Sequence, residues 1–533
     1  MERKVTIKQG TLVGTTGQNL NGETFFKFLG IPYAKPPLGQ LRFKAPEPAE
    51  PWEGVRDCTQ DGTPNMSVSF TQEVVGSEDC LYLNVHTQRL PSSKGELRPV
   101  MVFFHGGAFT LGNGTQQMCD PEYLLTEDVV LVSMNYRLGV FGFLSMEDVS
   151  LGIPGNAGLK DQTQALKWVK ENISKFNGDP DNVTIFGISA GGSSVHFHLI
   201  SDKSKGLFHK AIAQSGSVFN PWAWGQRNSL LLAEKLGHKV KSEKEALKVL
   251  MEVSSKELFE ASQTLPDCII GAHQRRPFGP IIEKPNLTAF ITEDPTGLLA
   301  SGRYNQVPFI QGFCSNEGLI YEFSKFIYIP EDFEPNKQLV PWYLNHPHKV
   351  HSPKLKTLLQ WDQTIADLYY KDGVTKKAIH DHLGDICFTS GILNGLRLQL
   401  KAGHAPQYLY KFCYETPIIK TNRAILGLDE AFKGVSHGAD QSFLFPNHIP
   451  GMTAVLTEED LEAIRKVVKI WVDFASTGTP HPDWEPITPE DKDLNCFLLG
   501  KDLRMERNPF EERMVAWKGF TEDVGIDLNV NEN

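Results

Sequence analysis

The sequence has no CxxC pair, and its eight cysteines are scattered over 533 residues. That spacing excludes a zinc-finger type site and a dense disulfide framework. No apolar run reaches the roughly 18 residues that a bilayer-spanning helix needs, so no membrane span is expected. Lys and Arg are not clustered, and the formal net charge is −11. A nucleic-acid partner or a polybasic membrane contact would require the opposite. The first residues, Met1-Glu2-Arg3-Lys4-Val5-Thr6-Ile7-Lys8, enter strand-like alternation with no apolar leader, and the last ones, Asn529 to Asn533, match no retrieval or lipidation signal. A cytoplasmic location is expected on these grounds, with secretion as the alternative if a leader has been removed. Five Asn-x-Ser/Thr sites (Asn65, Asn113, Asn172, Asn182, Asn286) would matter only in a secreted chain. Repeats, low-complexity tracts and Ser/Gly linkers are also missing, so residues 1–533 are expected to form one domain.

The patterning is that of a soluble globular protein, with 40% hydrophobic and 22% charged residues and ample material for a large core. Val5–Gln9 and Thr11–Thr15 alternate around Gly10, and Thr24–Leu29 follows an Asn-Gly turn, which predicts N-terminal antiparallel hairpins. From about residue 98 the pattern changes. The continuous apolar runs at 100–104, 129–134 and 183–186 read as strands covered on both faces. Leu159, Gln162, Leu166, Val169 and Ile173 recur at helical spacing, and Asn177-Gly178-Asp179-Pro180 is expected to end that helix. A second helix is expected over Thr457–Ala475, capped by Thr457 with Asp460 and stopped by Gly478 and Pro480. Strands interleaved with helices predict an α/β fold with a large, mostly parallel sheet. Residues 325–430 are less periodic and are expected to form helical excursions over it.

Val183-Thr184-Ile185-Phe186-Gly187-Ile188-Ser189-Ala190-Gly191-Gly192 carries the chemistry. GxSxG is a weak pattern alone, but here an apolar strand precedes it and a helix-compatible run follows. That is the context of a nucleophile elbow, whose sharp turn exposes the serine hydroxyl at the sheet edge. The alternative is a phosphate-binding Gly-rich turn, but a Walker motif would need Lys where Ser193 stands. Upstream, Phe104-His105-Gly106-Gly107-Ala108-Phe109 closes an apolar strand with small residues. It reads either as a plain tight turn or as an oxyanion hole donating N–H groups from Gly107 and Ala108, with Ala190 as the third donor.

With these motifs the sequence resembles the type-B carboxylesterases of the cholinesterase and carboxylesterase family, in particular the insect α-esterase branch. The likeness extends over nearly the whole chain. It includes Phe28-Leu29-Gly30-Ile31-Pro32-Tyr33-Ala34, Ser77-Glu78-Asp79-Cys80-Leu81-Tyr82-Leu83-Asn84-Val85, Pro154-Gly155-Asn156-Ala157-Gly158-Leu159 and Trp471 to Gly478. The resemblance implies the α/β-hydrolase fold and a Ser-His-Glu triad of Ser189, Glu317 and His437, with no cofactor and no metal. It selects His437 among sixteen histidines, of which His346, His348 and His351 only mimic a metal cluster. It further implies that Ser215 and Asp440 hydrogen-bond around Glu317 and His437, a turn or capping role being the alternative. It pairs Cys58 with Cys80 in a disulfide, free thiols in a reducing cytosol being the alternative, and Arg42 with Glu78 in a buried ion pair.

Two departures bear on substrate. Ile188 stands where the family commonly has Glu before the nucleophile, and no Trp lies between Cys58 and Cys80. Without that anion and that aromatic face, the attractions for choline are missing, so neutral apolar esters are expected. Phe109, Trp222 and Phe278 are the aromatic candidates for the substrate pocket, with plain core packing as the alternative. The expected partners are a small-molecule ester and, as inhibitors, organophosphates or carbamates. Detoxification fits this chemistry, and so does hydrolysis of hormone, pheromone or lipid esters. The rivals are an adhesion-type relative lacking the nucleophile, which the presence of all three triad residues opposes, and a stoichiometric sponge for organophosphates.

Overall fold

The computed structural model describes residues 3–524 apart from 69–72, 92–94, 266–275, 324–351, 426–432, 447, 449–454 and 492–493. The His346, His348 and His351 group therefore lies outside the described residues.

Eleven strands form one twisted sheet: β1 (Thr15–Gln18), β2 (Thr24–Pro32), β3 (Tyr82–Thr87), β4 (Arg98–Phe104), β5 (Val130–Met134), β6 (Gly178–Ile188), β7 (Lys210–Gln214), β8 (Phe309–Cys314), β9 (Gln407–Phe412), β10 (Cys496–Leu499) and β11 (Arg504–Glu506). Their spatial order is β11-β10-β9-β8-β7-β6-β4-β5-β3-β2-β1. Every pairing from β5 through β4 and β6 to β10 is parallel, and the flanking pairings are antiparallel. This is the mixed, mostly parallel sheet that the sequence predicts. The order reverses beside β4, and the crevice outside the carboxyl ends of strands at such a reversal is where open α/β sheets bind ligands.

Strand alternation explains the two-sided core. Val100, Val102, Val130, Val132, Val183 and Ile185 pack on one face with Leu166, Trp168 and Val169 of helix α1 (Ala157–Asn172). Met101, Phe103, Leu131 and Phe186 pack on the other, with Ile464, Val468 and Trp471 of α6 (Glu458–Thr477). Helix α2 (Ala190–Ile200) follows β6. A long helical run crosses the carboxyl side as α3 (Ser352–Tyr370), α4 (Lys376–Gly384), a π-helical turn (Asp385–Thr389) and α5 (Ser390–Leu400). Helices α6 (Glu458–Thr477) and α7 (Glu511–Val524) complete the layers. The start of α6 is the expected capping box. The Asp460 N–H donates to Thr457 Oγ1, the Thr457 N–H donates to Asp460 Oδ2, and Gly478 closes the helix in the left-handed region. Such a cap stabilises a helix by about 1 kcal/mol.

Three expectations need correction. Thr11–Thr15 is not one strand: Gly10–Val13 pairs with Lys4–Ile7 in a separate small sheet, and the chain passes at Gly14 into β1 of the large one. A side chain at Gly14 would meet the Lys27 carbonyl at 2.4 Å, so the crossing needs glycine. The turn after α1 is a 3₁₀ segment ending at left-handed Asn177, and Gly178-Asp179-Pro180 already belongs to β6. Residues 325–430 are not all helical, because β9 lies inside them, fully inserted between β8 and β10. Of the five glycosylation-type sites, Asn65 and Asn172 are buried and hydrogen-bonded within the chain. Among the described residues, no helix is long and apolar enough to cross a membrane.

Candidate active site

Strand β6 ends in Ile188, and Ser189 sits at φ 57°, ψ −120° between it and α2. A non-glycine residue held there stores about 1–3 kcal/mol of strain. The surroundings impose it. The Ser189 N–H donates to the Gln214 carbonyl of β7, and its carbonyl accepts the first helical bond from Ser193 (both 2.8 Å). The turn is so tight that a Cβ on Gly191 would lie 1.9 Å from the Phe104 carbonyl oxygen. Ser189 is half-buried while its neighbours on both sides are buried, and the N-terminus of α2 points at it.

After β4 the backbone turns left-handed at three consecutive residues, Gly107 (φ 112°), Ala108 (φ 56°) and Phe109 (φ 61°). Successive residues in such conformations converge their N–H groups into an anion-binding concavity. The Gly107 carbonyl accepts from the Thr110 and Leu111 N–H groups, which fixes the turn. Among the described residues, the N–H groups of Gly107, Ala108 and Ala190 have no acceptor. His105 braces the turn from behind. Its ring stacks on Tyr136 at 4.3 Å, its Nδ1 donates to the Gly106 carbonyl, and burial pushes its pKa down to about 4, so it stays neutral.

Glu317, three residues beyond the Cys314 end of β8, is buried and fully engaged. Its Oε1 accepts from Ser215 Oγ (2.5 Å) and the Cys314 N–H (2.6 Å), and its Oε2 faces His437 Nδ1 at 2.6 Å. An ionised carboxylate only accepts, so Nδ1 carries the proton and Nε2 is left as the basic nitrogen. The His437 loop meets the elbow: a Cβ on Gly438 would lie 3.6 Å from Ile188 Cδ1, and one on Gly106 would lie 3.3 Å from Ile188 Cγ2. Ile188 thus fills the space between the two loops with hydrocarbon.

The candidates resolve as follows. Ser215 takes its expected place on Glu317, itself strained at φ 50°. Asp440 does not bond Glu317 or His437. Its Oδ2 accepts from Gln214 Nε2 (2.9 Å) and Tyr410 Oη (2.7 Å), and burial holds its carboxyl above the usual range. The short 3₁₀ segment that follows Gly438 turns its side chain toward β7 and β9 instead. Cys58 and Cys80 are free thiols rather than a disulfide. Both are buried beside Phe28, Ile31 and Leu81, and burial pushes the Cys58 thiol up to about 12. Arg42 and Glu78 form the expected buried pair, with Arg42 Nε 2.9 Å from Glu78 Oε2. Phe109, Trp222 and Phe278 are all buried in one apolar cluster that also contains Ala190 and Phe388. Phe109 packs edge-on against Phe143 at 5.2 Å, and Trp222 Nε1 donates to the Cys387 carbonyl.

Phe388, Gln214, Tyr410 and Cys314 are neighbours of the site that sequence reasoning missed. The Phe388 ring lies 4.3 Å from the His437 imidazole and 5.7 Å from Trp222. No motif marks it, because a π-helical turn leaves no periodic signature in sequence. Gln214 is adjacent to Ser215, and its place on buried β7 was the available hint.

A serine at a strained strand-to-helix turn on the carboxyl edge of a parallel sheet, facing a left-handed N–H turn, makes this an α/β-hydrolase. The chain belongs to the carboxylesterase family, whose sequence model matches residues 1–517, and it is a carboxylesterase. It is 35% identical over 517 residues to Esterase FE4 of Myzus persicae, covering 93% of this chain and 88% of the relative. It is 36% identical over 506 residues to a juvenile hormone esterase of Tribolium castaneum, covering 90% of this chain and 84% of the relative. The solved juvenile hormone esterase of Manduca sexta, with OTFP covalently attached, superposes with a TM-score of 0.84 at 27% identity, over 99% of this chain and 100% of that one.

Proposed function

We propose that this carboxylesterase hydrolyses neutral, apolar esters through a covalent acyl-enzyme on Ser189. His437 Nε2 takes the Ser189 Oγ proton as the hydroxyl oxygen attacks the ester carbonyl carbon. The N–H groups of Gly107, Ala108 and Ala190 hold the resulting oxyanion, each worth about 10²–10³ in rate in such sites. The imidazolium, stabilised by Glu317, then protonates the leaving alcohol oxygen as the C–O bond breaks. Water, deprotonated by His437, attacks the acyl carbon and releases the carboxylic acid and free Ser189. The observation that carries this reading is the Glu317–His437 contact of 2.6 Å, which fixes the tautomer that acylation needs. Ile188, an apolar wall between the two loops, supports a neutral substrate.

Intact mass after exposure to a reactive organophosphate tests it. One stable adduct on the wild type, absent from Ser189→Ala, is expected, and a carbamate should compete for the same residue. An unlabelled wild type would overturn the nucleophile. The rate at which the adduct is lost distinguishes a turnover enzyme acting in detoxification from a sponge.

For the physiological ester, the juvenile hormone esterases among the relatives support a hormone ester. A kcat/KM for juvenile hormone no higher than for simple aryl or xenobiotic esters would overturn that choice in favour of detoxification.

A further inference from the structure

The helical run from Lys376 to Leu400 touches the acid and the base of the proposed triad on one side and a buried charge network on the other. On the front, the His380 carbonyl oxygen of α4 occupies the place of a Gly318 side chain, 1.9 Å from where its Cβ would be. A Cβ on Gly384 would lie 3.6 Å from the Glu317 Cβ. The π-helical turn then presents Phe388 to His437 and lends two carbonyls to the site wall. Cys387 O accepts from Trp222 Nε1 (2.7 Å), and Phe388 O accepts from Asn220 Nδ2 (2.9 Å). A π-turn adds a residue to the helix and rotates its faces, and such turns concentrate at functional sites.

On the back, Asp385, the first residue of that turn, is buried and doubly held. Its Oδ2 accepts from Tyr369 Oη of α3 (2.6 Å) and pairs with Arg513 Nε of α7 (2.9 Å). Trp517 Nε1 donates to the same Tyr369 hydroxyl, and Arg513 also pairs with Asp381, which in turn pairs with exposed Lys377. The Arg513 guanidinium lies 4.3 Å over the Phe510 ring. A crevice lined by Glu317, Gly318, His380, Asp385, Thr389 and Arg513 separates this network from the acid.

We propose that Asp385 is a positioning residue for ester hydrolysis: its ion pair with Arg513 locks the π-turn, and the locked turn holds His437 and Glu317 in register. The inference rests on the triad reading above. Burial pushes the Asp385 carboxyl up to about 7, with Arg513 and Tyr369 pulling the other way. Loosening a base by about 1 Å can cost on the order of 10²-fold in rate.

The test uses the full-length enzyme, with active sites counted by organophosphate titration, on a 4-nitrophenyl ester between pH 5 and 9. Asp385→Asn and Arg513→Met are expected to lower kcat about tenfold or more with KM within about twofold. Both should move the acidic limb of the kcat/KM profile by roughly half a pH unit. Arg513→Lys should recover part of kcat, and Lys377→Ala should change neither quantity. If Asp385→Asn fails to fold, Phe388→Leu, which removes the ring from His437 without opening a large cavity, should show the same kcat loss and pH shift. Unchanged kcat per titrated site and an unchanged pH profile would overturn the proposal, even with lowered stability, while Ser189→Ala stays inactive. Turnover by Ser189→Ala would overturn the triad reading instead.

Discussion

The two halves of the site are built differently. Ser189 and the 107–109 turn are fixed by backbone: left-handed residues, a helix N-terminus, and a Gly191 whose hydrogen faces a carbonyl where no carbon fits. Glu317 and His437 are fixed mainly by side chains from separate stretches of chain, the Ser215 hydroxyl on Glu317 and the Phe388 ring against His437, with the Cys314 backbone N–H as a further support. A backbone-built half tolerates almost no change at its tight points, because nothing there can repack. A side-chain-built half degrades in steps as each support is removed. Gly191→Ala breaks the first half outright. With a Cβ 1.9 Å from the Phe104 oxygen, either β4 or the elbow must move, and folded protein with activity reduced at least about 10³-fold, or no folded protein, is expected. Esterase rate together with organophosphate labelling checks this. A variant within tenfold of wild type would mean that the elbow is softer than its geometry implies.

Ser215→Ala sharpens the contrast on the other side. It removes the 2.5 Å hydrogen bond to Glu317 and leaves the Cys314 N–H and His437 bonds in place. A loss of about tenfold in kcat is expected, since a hydrogen bond to a charged group is worth about 1.5–3 kcal/mol and part of it is recovered by relaxation. Steady-state kinetics on a 4-nitrophenyl ester decides. A fall as deep as that of Gly191→Ala would erase the distinction between the halves.

This difference also explains what the sequence disclosed. The elbow and the N–H turn were legible because local backbone demands write themselves as contiguous small residues: Gly187 to Gly192 in one place, Gly106 to Ala108 in the other. The capping box of α6 was legible for the same reason. Glu317 and His437 were not readable from spacing, since a pair 120 residues apart leaves no local trace; the family resemblance supplied them. Asp440 shows the limit of such transfer. Its position in sequence matched, but the 3₁₀ turn in which it lies swings the carboxyl to Gln214 and Tyr410. Strand β9 was missed because Gln407 and Lys411 leave only a short apolar run, Tyr408-Leu409-Tyr410, in a stretch otherwise rich in helical segments.

The candidate pocket wall at Trp222 should respond more mildly. Trp222 is pinned by its bond to the Cys387 carbonyl and faces Phe388. Trp222→Leu frees that carbonyl and removes ring volume, so longer acyl chains should gain relative to acetate by roughly tenfold, the scale of one or two methylenes in an apolar pocket. A chain-length series unchanged from wild type would return Trp222 to plain core.

The smallest expected effect concerns pH, and it falls mainly on the backbone-built half. His105, beside the 107–109 turn, is pushed down to about 4 by burial. His86 on β3 and His196 and His198 on α2 are pushed to about 3. Among histidines in the α4 run, His382 is likewise pushed to about 3. Each is neutral in the fold at a pH where the unfolded chain, with an ordinary imidazole pKa near 6.5, already binds a proton. Between about 6.5 and 3 the unfolded state therefore holds more protons, and stability falls as pH falls. His86 isolates the effect, because among the described residues neither of its ring nitrogens has a hydrogen-bond partner and its ring lies edge-on to Phe25. His86→Phe keeps the ring and deletes the proton site, so the drop in Tm from pH 7 to pH 5 should shrink by roughly 1–2 °C relative to wild type. An identical drop in both proteins would mean that His86 carries none of the acid sensitivity.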